Sequence, residues 1–535
     1  MMKHLRISPS KTHLALVITQ LTVFITLNLL SLPRLAPTTD EEKHFLYGQM
    51  ILDLDSTRFD DSKMPFSALN ALPQKLSGLL PAGALRTFLQ TLAPARLITL
   101  LFSTGVAFLI YHWTRELYGP HAGLLALSLY TWDPNLIAHS MLVTTDLYSV
   151  GMALFSLYFF WKFLHQPGWK SGFLSATMLG LSQLAKYTSV FLYPLFLLIA
   201  LIYYAPQGLL LLREKAYRPI LQSVSRFAGV AFLFFLVSLL LINLGFLFNR
   251  TFTPLPAYSF DSNLFQTMQA KLSPLGNIPV PVPYPYLQGL DMVRDRERTG
   301  HGFGRIYMVG QLRESEGFNG YYFFATLLKM PLAVQGILLY ALFAYVRGFR
   351  WATFRQNEQF FLLPALFFTL YFNFFYNAQI GIRYFLVVYP LLYLLAGRLL
   401  QPWPQITRPQ KILGGILAVY TVLSVLSYHP HYIPYFNELV WDRRFAYKYL
   451  ADSNLDWDQA DFYLDDYLAL HPHARVEPLQ PRDGLTIVSV NALVGVTGER
   501  EQFAWLRDNF VPTETIAYAY LVYDISTEEF KKVFP

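Results

Sequence analysis

The sequence predicts a polytopic α-helical membrane protein of about 11 transmembrane helices, followed by a small α/β domain on the outer face. Three observations predict it. Of 535 residues, 54% are hydrophobic and only 14% are charged, against roughly 25% charged in soluble domains. Apolar runs long enough to cross a bilayer recur up to about residue 428. Beyond that point the composition becomes that of an ordinary soluble protein. The 17% aromatic content fits belts at the two interfaces. The chain has no cysteine, which excludes disulfides, thiolate metal sites and thiol catalysis. The net charge of +7 is scattered along loops rather than striped on one face, so nothing points to nucleic acid.

Lys3, Arg6 and Lys11 precede the first apolar run. That run is too long for a cleaved signal and lacks a small-residue cleavage site, so it reads as a retained anchor with a cytoplasmic N-terminus. Span one (about 14–32) exits to a polar outer loop of about 33–94. Spans two and three (about 97–114 and 122–132) flank the turn Arg115–Pro120 and lead to an outer loop, 133–146. Span four (about 147–164) returns to Lys162–Lys170, and spans five and six (about 171–185 and 188–204) are separated only by Lys186 and Tyr187.

Arg213, Lys215, Arg218 and Arg226 mark the next inner loop. Span seven (about 227–248) leads to a Pro-, Gly- and Tyr-rich outer loop, about 249–320. Spans eight to eleven (about 321–345, 359–376, 384–397 and 412–428) alternate across inner segments carrying Arg347, Arg350, Arg355, Arg398, Arg408 and Lys411. Every inner segment is short and basic, while the acidic clusters fall outside. The expected location is therefore the plasma (inner) membrane, multi-pass, with residues 1–428 as the transmembrane module. Residues 429–535 form the periplasmic or extracellular domain. Within it, Arg443–Leu468 and Glu501–Asn509 have helical spacing, while Gly484–Val490 and Tyr518–Tyr523 read as strands.

Asp40, Glu41, Glu42 and His44 crowd the exit of span one. A hydrated loop or helix cap is the plain explanation; the chemical one is a general base that takes a proton from a hydroxyl nucleophile. If a helix starts there, Asp40 and His44 share a face. In the loop Asp133–Asp146, His139 and Asp146 are polar landmarks in an apolar run. A carboxylate where the chain re-enters the bilayer is costly unless paired or functional. Asp133 before Pro134 reads as a turn former. Lys186, Lys329 and Arg383 break the positive-inside pattern, and fixed positive charge at the outer interface suits a phosphate group, with snorkelling to lipid headgroups as the alternative.

These residues, in this order, resemble the C-type glycosyltransferases (GT-C), specifically the protein O-mannosyltransferase-like group of phospholipid carrier-dependent glycosyltransferases (glycosyltransferase family thirty-nine). Asp40-Glu41 is similar to that family's first-loop Asp-Glu motif, and Asn135–Asp146 to its second-loop motif. Leu184–Thr188, Tyr322-Phe323 with Leu328–Pro331, and Gly381–Tyr384 resemble its Lys-Tyr, Lys-x-Pro and Gly-x-Arg-His steps. Tyr435–Glu438 and Asp452–Trp457 match a bacterial subset. Three positions depart: Asp60–Pro65 stands where the family has His-Pro-Pro, Tyr384 replaces its histidine, and Asp458 replaces a glycine.

The resemblance implies an inverting transfer of a hexosyl, mannosyl or pentosyl group from an undecaprenyl- or dolichyl-phosphate type donor to a hydroxyl on a protein or lipid. It implies Asp40 as base, with Glu41 and Asp146 as catalytic partners. Lys63, Lys186, Lys329 and Arg383 would bind the donor phosphate, and His44, Asp61 and His139 would support. A divalent metal cation held by Asp146 and Glu41 is left open, as are the sugar and the acceptor. Two other functions stand beside it. A transporter or lipid flippase would line a solute path with intramembrane charges, but the charges here lie at one interface and no inverted halves are visible. A non-catalytic scaffold would tolerate loss of the acidic cluster.

Overall fold

The computed structural model describes residues 11–535 apart from 56, 59–62, 216 and 402. The basic segment before Lys11, and Asp60 and Asp61, lie outside the described residues. Among those described, seven helices are long and apolar enough to cross a membrane. An eighth crossing follows if the helices Leu332–Arg347 and Trp351–Phe374, which meet at 116°, are one bent span. Outward-facing Leu201, Phe232, Phe235, Leu339 and Ile416 leave large apolar surfaces exposed, as a lipid-facing band requires. The chain is thus a multi-pass membrane protein.

Eleven spans is more than the long helices supply. Pro120–Thr131 and Trp169–Ser182 have 12 and 14 residues, short of the ~20 needed for a perpendicular crossing. Span eight is broken as well: the helix Tyr321–Lys329 ends before Pro331, and a new helix runs Leu332–Arg347. Proline disfavours helical geometry in the residue before it, and Met330 is extended at φ −102° and ψ 135°.

The acidic stretch after the first span forms the helix Glu41–Leu52, with Asp40 at its N-cap. It packs closely on the helix Ser67–Ser77: a Cβ on Gly48 would sit 2.2 Å from the Ser67 carbonyl oxygen. Only glycine allows that approach. The loop 133–146 contains the short helix Pro134–His139, capped by Asp133, whose carboxylate accepts from the Asn135 and Leu136 N–H groups. Asp133 is thus a helix cap, as its turn-forming position before proline suggested.

The C-terminal part forms a four-stranded sheet in the order β3-β4-β6-β5, with β3 Arg475–Val476, β4 Gly484–Ser489, β5 Glu514–Ile516 and β6 Tyr520–Ile525. An earlier hairpin, β1 Ile306–Met308 and β2 Gln311–Arg313, belongs to the loop before Tyr321. β3 and β4 are parallel; β6 is antiparallel to β4 and β5. The sheet is joined to the membrane helices by packing: Val488, Leu493 and Phe503 share one core with Tyr130, Tyr322 and Leu394.

The expected helix Arg443–Leu468 is interrupted. Helical turns cover Arg443–Lys448 and Asp461–Leu470, and the segment between runs as an irregular strap with Asp452 and Asp458 at φ +57° and +67°. Short polar side chains there bond the neighbouring backbone, with Asp458 N–H donating to Asp456 at 3.2 Å. That competes with a continuous helix.

Candidate active site

Four charged residues meet at the starts of three candidate spans and the first helix of the long loop. Asp146 opens the span Asp146–His165, Lys186 immediately precedes Tyr187–Arg213, and Arg383 lies at the start of Ile382–Leu400. Lys186 Nζ lies 2.6 Å from Asp146 Oδ1. Arg383 Nη1 lies 2.7 Å from Asp40 Oδ2 and 3.8 Å from Asp146 Oδ2. Only 6% of the Arg383 side chain and 4% of Asp146 are exposed, against 27% for Asp40. Burying such charges costs several kcal/mol per ion unless they are paired, so the cluster stands by mutual compensation.

Aromatic rings complete the walls. Lys186 Nζ lies 4.1 Å from the Tyr384 ring centroid, and Arg383 Cζ lies 4.0 Å from that of Trp457. Cations gain on such faces, more when desolvated. Tyr384, where the resembled family has histidine, supplies the face on which Lys186 rests. Beside the charges lies a narrow cleft lined by Val150, Leu192, Phe368, Phe372 and Val387 as well as by Asp146, Lys186 and Arg383. The Nε of Arg383 is buried without a hydrogen-bond partner.

Burial alone would push the Asp40 carboxyl up. Arg383, and then His44 and Lys63, act against burial and hold it below the usual carboxylate range. Asp40 is therefore charged at neutral pH and partly open to solvent. His139 is pushed down to about 3 by burial, so its imidazole is neutral; its Nδ1 is buried without a hydrogen-bond partner. Asp452 and Asp456 are raised by burial to about 7 and about 8, and Asp452 feels both Arg383 and Asp40.

The remaining sequence candidates separate into those near this cluster and those set apart from it. Lys63 is buried and acts electrostatically on Asp40. His44 is buried on the same helix face and 3.5 Å from Ser67 Oγ. Glu41, expected beside Asp40 in catalysis, points elsewhere. Its Oε2 lies 2.6 Å from Arg96 Nη2 and its Oε1 accepts from Arg96 Nε at 2.9 Å and from Val143 N–H at 3.0 Å. Glu41 and Arg96 clamp the first loop to the second. Lys329, expected at the donor phosphate, donates to the carbonyls of Ile433 and Asn454 at 2.9 and 2.6 Å and is 1% exposed.

Sequence reasoning did not single out Arg96 or Trp457. Arg96 had a signal, a lone arginine at the mouth of a span, and Trp457 sat inside a motif noted only for its likeness. No group of three or more His, Asp or Glu able to hold a metal occurs among the described residues. The pair Asp146 and Glu41 does not converge, because each carboxylate already faces its own cation. These residues do not fit the metal site that the resemblance left open.

In solved structures the same architecture recurs. ArnT from Cupriavidus metallidurans bound to undecaprenyl phosphate is similar across 97% of this chain and 99% of its own, at 13% identity and a TM-score of 0.50. The Archaeoglobus fulgidus oligosaccharyltransferase in the apo form is similar over 78% of this chain at 14% identity and a TM-score of 0.47, and the chain spans 54% of its length. The likeness to ArnT is one of fold. By sequence, residues 79–242 match the family model of dolichyl-phosphate-mannose-protein mannosyltransferases. That stretch holds His139, Asp146 and Lys186 but neither Asp40 nor Arg383. No curated protein matches the sequence.

Proposed function

We propose that the chain is an inverting glycosyltransferase that moves a sugar from a polyprenyl-phosphate donor to a hydroxyl on a protein or lipid at the outer face of the membrane. The observation that carries this is the position of Arg383, bridging Asp40 and Asp146 at the mouth of an apolar cleft. The apolar lining of the cleft suits the lipid chain of the donor. Lys186 and Arg383, with Lys63 nearby, meet the phosphodiester. Three cations against Asp40 and Asp146 leave one positive charge for the single negative charge of the donor.

Chemistry then follows at Asp40. It accepts the acceptor's proton as the oxygen bonds to the anomeric carbon from the side opposite the phosphate. The bond from that carbon to the phosphate oxygen breaks, and its electron pair leaves on a polyprenyl phosphomonoester. The charge growing there is met by cations already aimed at it, the arrangement that lowers a barrier most.

A solute path or flippase would place its charges at mid-span; here Asp146, Lys186 and Arg383 lie at span ends. The test is transfer by the purified chain in liposomes supplied with polyprenyl-phosphate sugars. Undecaprenyl phosphate, the lipid held by ArnT, serves as the competing product. Asp40→Asn is expected to lower transfer by about 100-fold or more with insertion unchanged. Full activity in that variant would remove Asp40 as base.

A further inference from the structure

The two partners of the Asp40–Arg383 ion pair are held by the same short piece of chain, the strap Asp452–Asp458. On one side, Ser453 Oγ donates to the Ile380 carbonyl and Asn454 Oδ1 accepts from Ile382 N–H at 3.0 Å. These bonds fix the turn before Arg383. Gly381 sits in it at φ +135°, and a Cβ there would lie 2.1 Å from Ser453 Oγ. The Trp457 ring then lies against the Arg383 guanidinium, 4.0 Å from centroid to Cζ. On the other side, the Trp457 carbonyl accepts from Thr39 N–H at 3.3 Å, and Thr39 Oγ1 donates to Asp458. These bonds fix the residue before Asp40.

The strap is anchored from beneath. Lys329 Nζ donates to the Asn454 carbonyl at 2.6 Å, and Asn454 Nδ2 donates to the Tyr321 hydroxyl at 2.9 Å. Every one of these contacts ties the end of the chain to membrane helices or to the first loop.

We infer that Asp452–Asp458 is a positioning clamp for the active site, in which Trp457 holds the guanidinium plane of Arg383 and Lys329 anchors the strap. This rests on the proposed role of Arg383 at the donor phosphate, and it gives the C-terminal part a duty inside the reaction centre. Trp457 does not touch the reacting atoms; it sets the cation that does. A flat, electron-rich face fixes a guanidinium that could otherwise swing between two carboxylates. Trp457→Phe keeps a ring and Trp457→Leu keeps only apolar volume.

Two measurements separate the clamp from the donor reading. Phenylglyoxal labelling of Arg383, read by peptide mass spectrometry on the purified full chain, reports whether the guanidinium is held and needs no substrate. Undecaprenyl phosphate binding reports the phosphate site. Trp457→Leu is expected to speed Arg383 labelling and to weaken undecaprenyl phosphate binding, each about tenfold, with Trp457→Phe in between. Ser453→Ala, a smaller change, is expected to speed labelling in the same direction should Trp457→Leu fail to fold. Labelling at the wild-type rate in the folded Trp457 and Ser453 variants overturns the clamp. Faster Arg383 labelling in Trp457→Leu, together with undecaprenyl phosphate binding that is unchanged both there and in Arg383→Ala, supports the clamp and removes the donor-phosphate role of Arg383.

Discussion

Asp40 and Glu41 are neighbours in the chain with opposite surroundings. Glu41 is fully enclosed and satisfied by Arg96 and the backbone of Val143, whereas Asp40 keeps 27% of its side chain exposed and shares one cation with Asp146. One carboxylate is a fastener between two loops; the other is paired with Arg383 and stays partly open to solvent.

Glu41→Gln should therefore be a stability variant. It leaves the Arg96 guanidinium buried at 4% exposure with its ionic partner gone. Breaking a buried pair in this way costs about 3–5 kcal/mol, to be read as a lower unfolding temperature in detergent. Transfer per folded molecule should stay within a few-fold of wild type. A normal unfolding temperature with abolished transfer would return Glu41 to the catalytic set.

Arg383→Gln should move the pH profile. Burial raises Asp40, and it lies below its ordinary value because Arg383, with His44 and Lys63, outweighs burial. In the wild type the base is therefore charged well into the acid range, and the acid limb of kcat/KM lies below the usual carboxylate region. Without the guanidinium, burial weighs more and the limb should move up. A limb that stays in place would mean that another group titrates.

Lys186→Met should act on the donor. The ammonium meets Asp146 at 2.6 Å and stands at the entrance of the cleft. The expected outcome is a KM for the polyprenyl-phosphate sugar raised about tenfold, with restoration by Lys186→Arg. A change confined to acceptor KM would move the phosphate away from this cation.

Glu297, on the helix Tyr284–Thr299, offers a pH test of stability. Burial raises its carboxyl to about 7, and the Tyr371 hydroxyl donates to it at 2.8 Å. The folded state thus holds the proton more tightly than the unfolded chain, whose value is 4.5. Its contribution is full below pH ~4.5 and is lost as pH rises through ~7, a difference of about 3 kcal/mol. Glu297→Gln should flatten that decline in unfolding temperature between pH 5 and 8. An unchanged slope would place the titration elsewhere.

The membrane class and the meeting of Asp40, Asp146, Lys186 and Arg383 were legible in the sequence. The reason is physical: charged residues at span ends in an apolar chain are conspicuous, because each must be paired or used. Direction was not legible. Nothing in the order Asp40-Glu41 says which carboxylate turns inward, since that depends on Arg96, on another element. Lys329 read as a phosphate ligand because a lysine beside a span looks like a free cation. Its two carbonyl partners, on Ile433 and Asn454, lie more than a hundred residues away in sequence. Of the eleven expected spans, seven or eight are long apolar helices among the described residues, and the rest fall on shorter ones such as Pro120–Thr131 and Trp169–Ser182.

The strap has a consequence for how the protein is made. Asp40 leaves the ribosome early and Arg383 343 residues later, yet the segment that aligns them follows both. While the membrane helices are being inserted, base and cation have no shared template, and a half-made chain carries its reactive carboxylate without a matched partner. Their alignment waits for the C-terminal segment. A chain that stops before Asp452 thus holds both Asp40 and Arg383 but lacks the segment that bonds to the turns beside them.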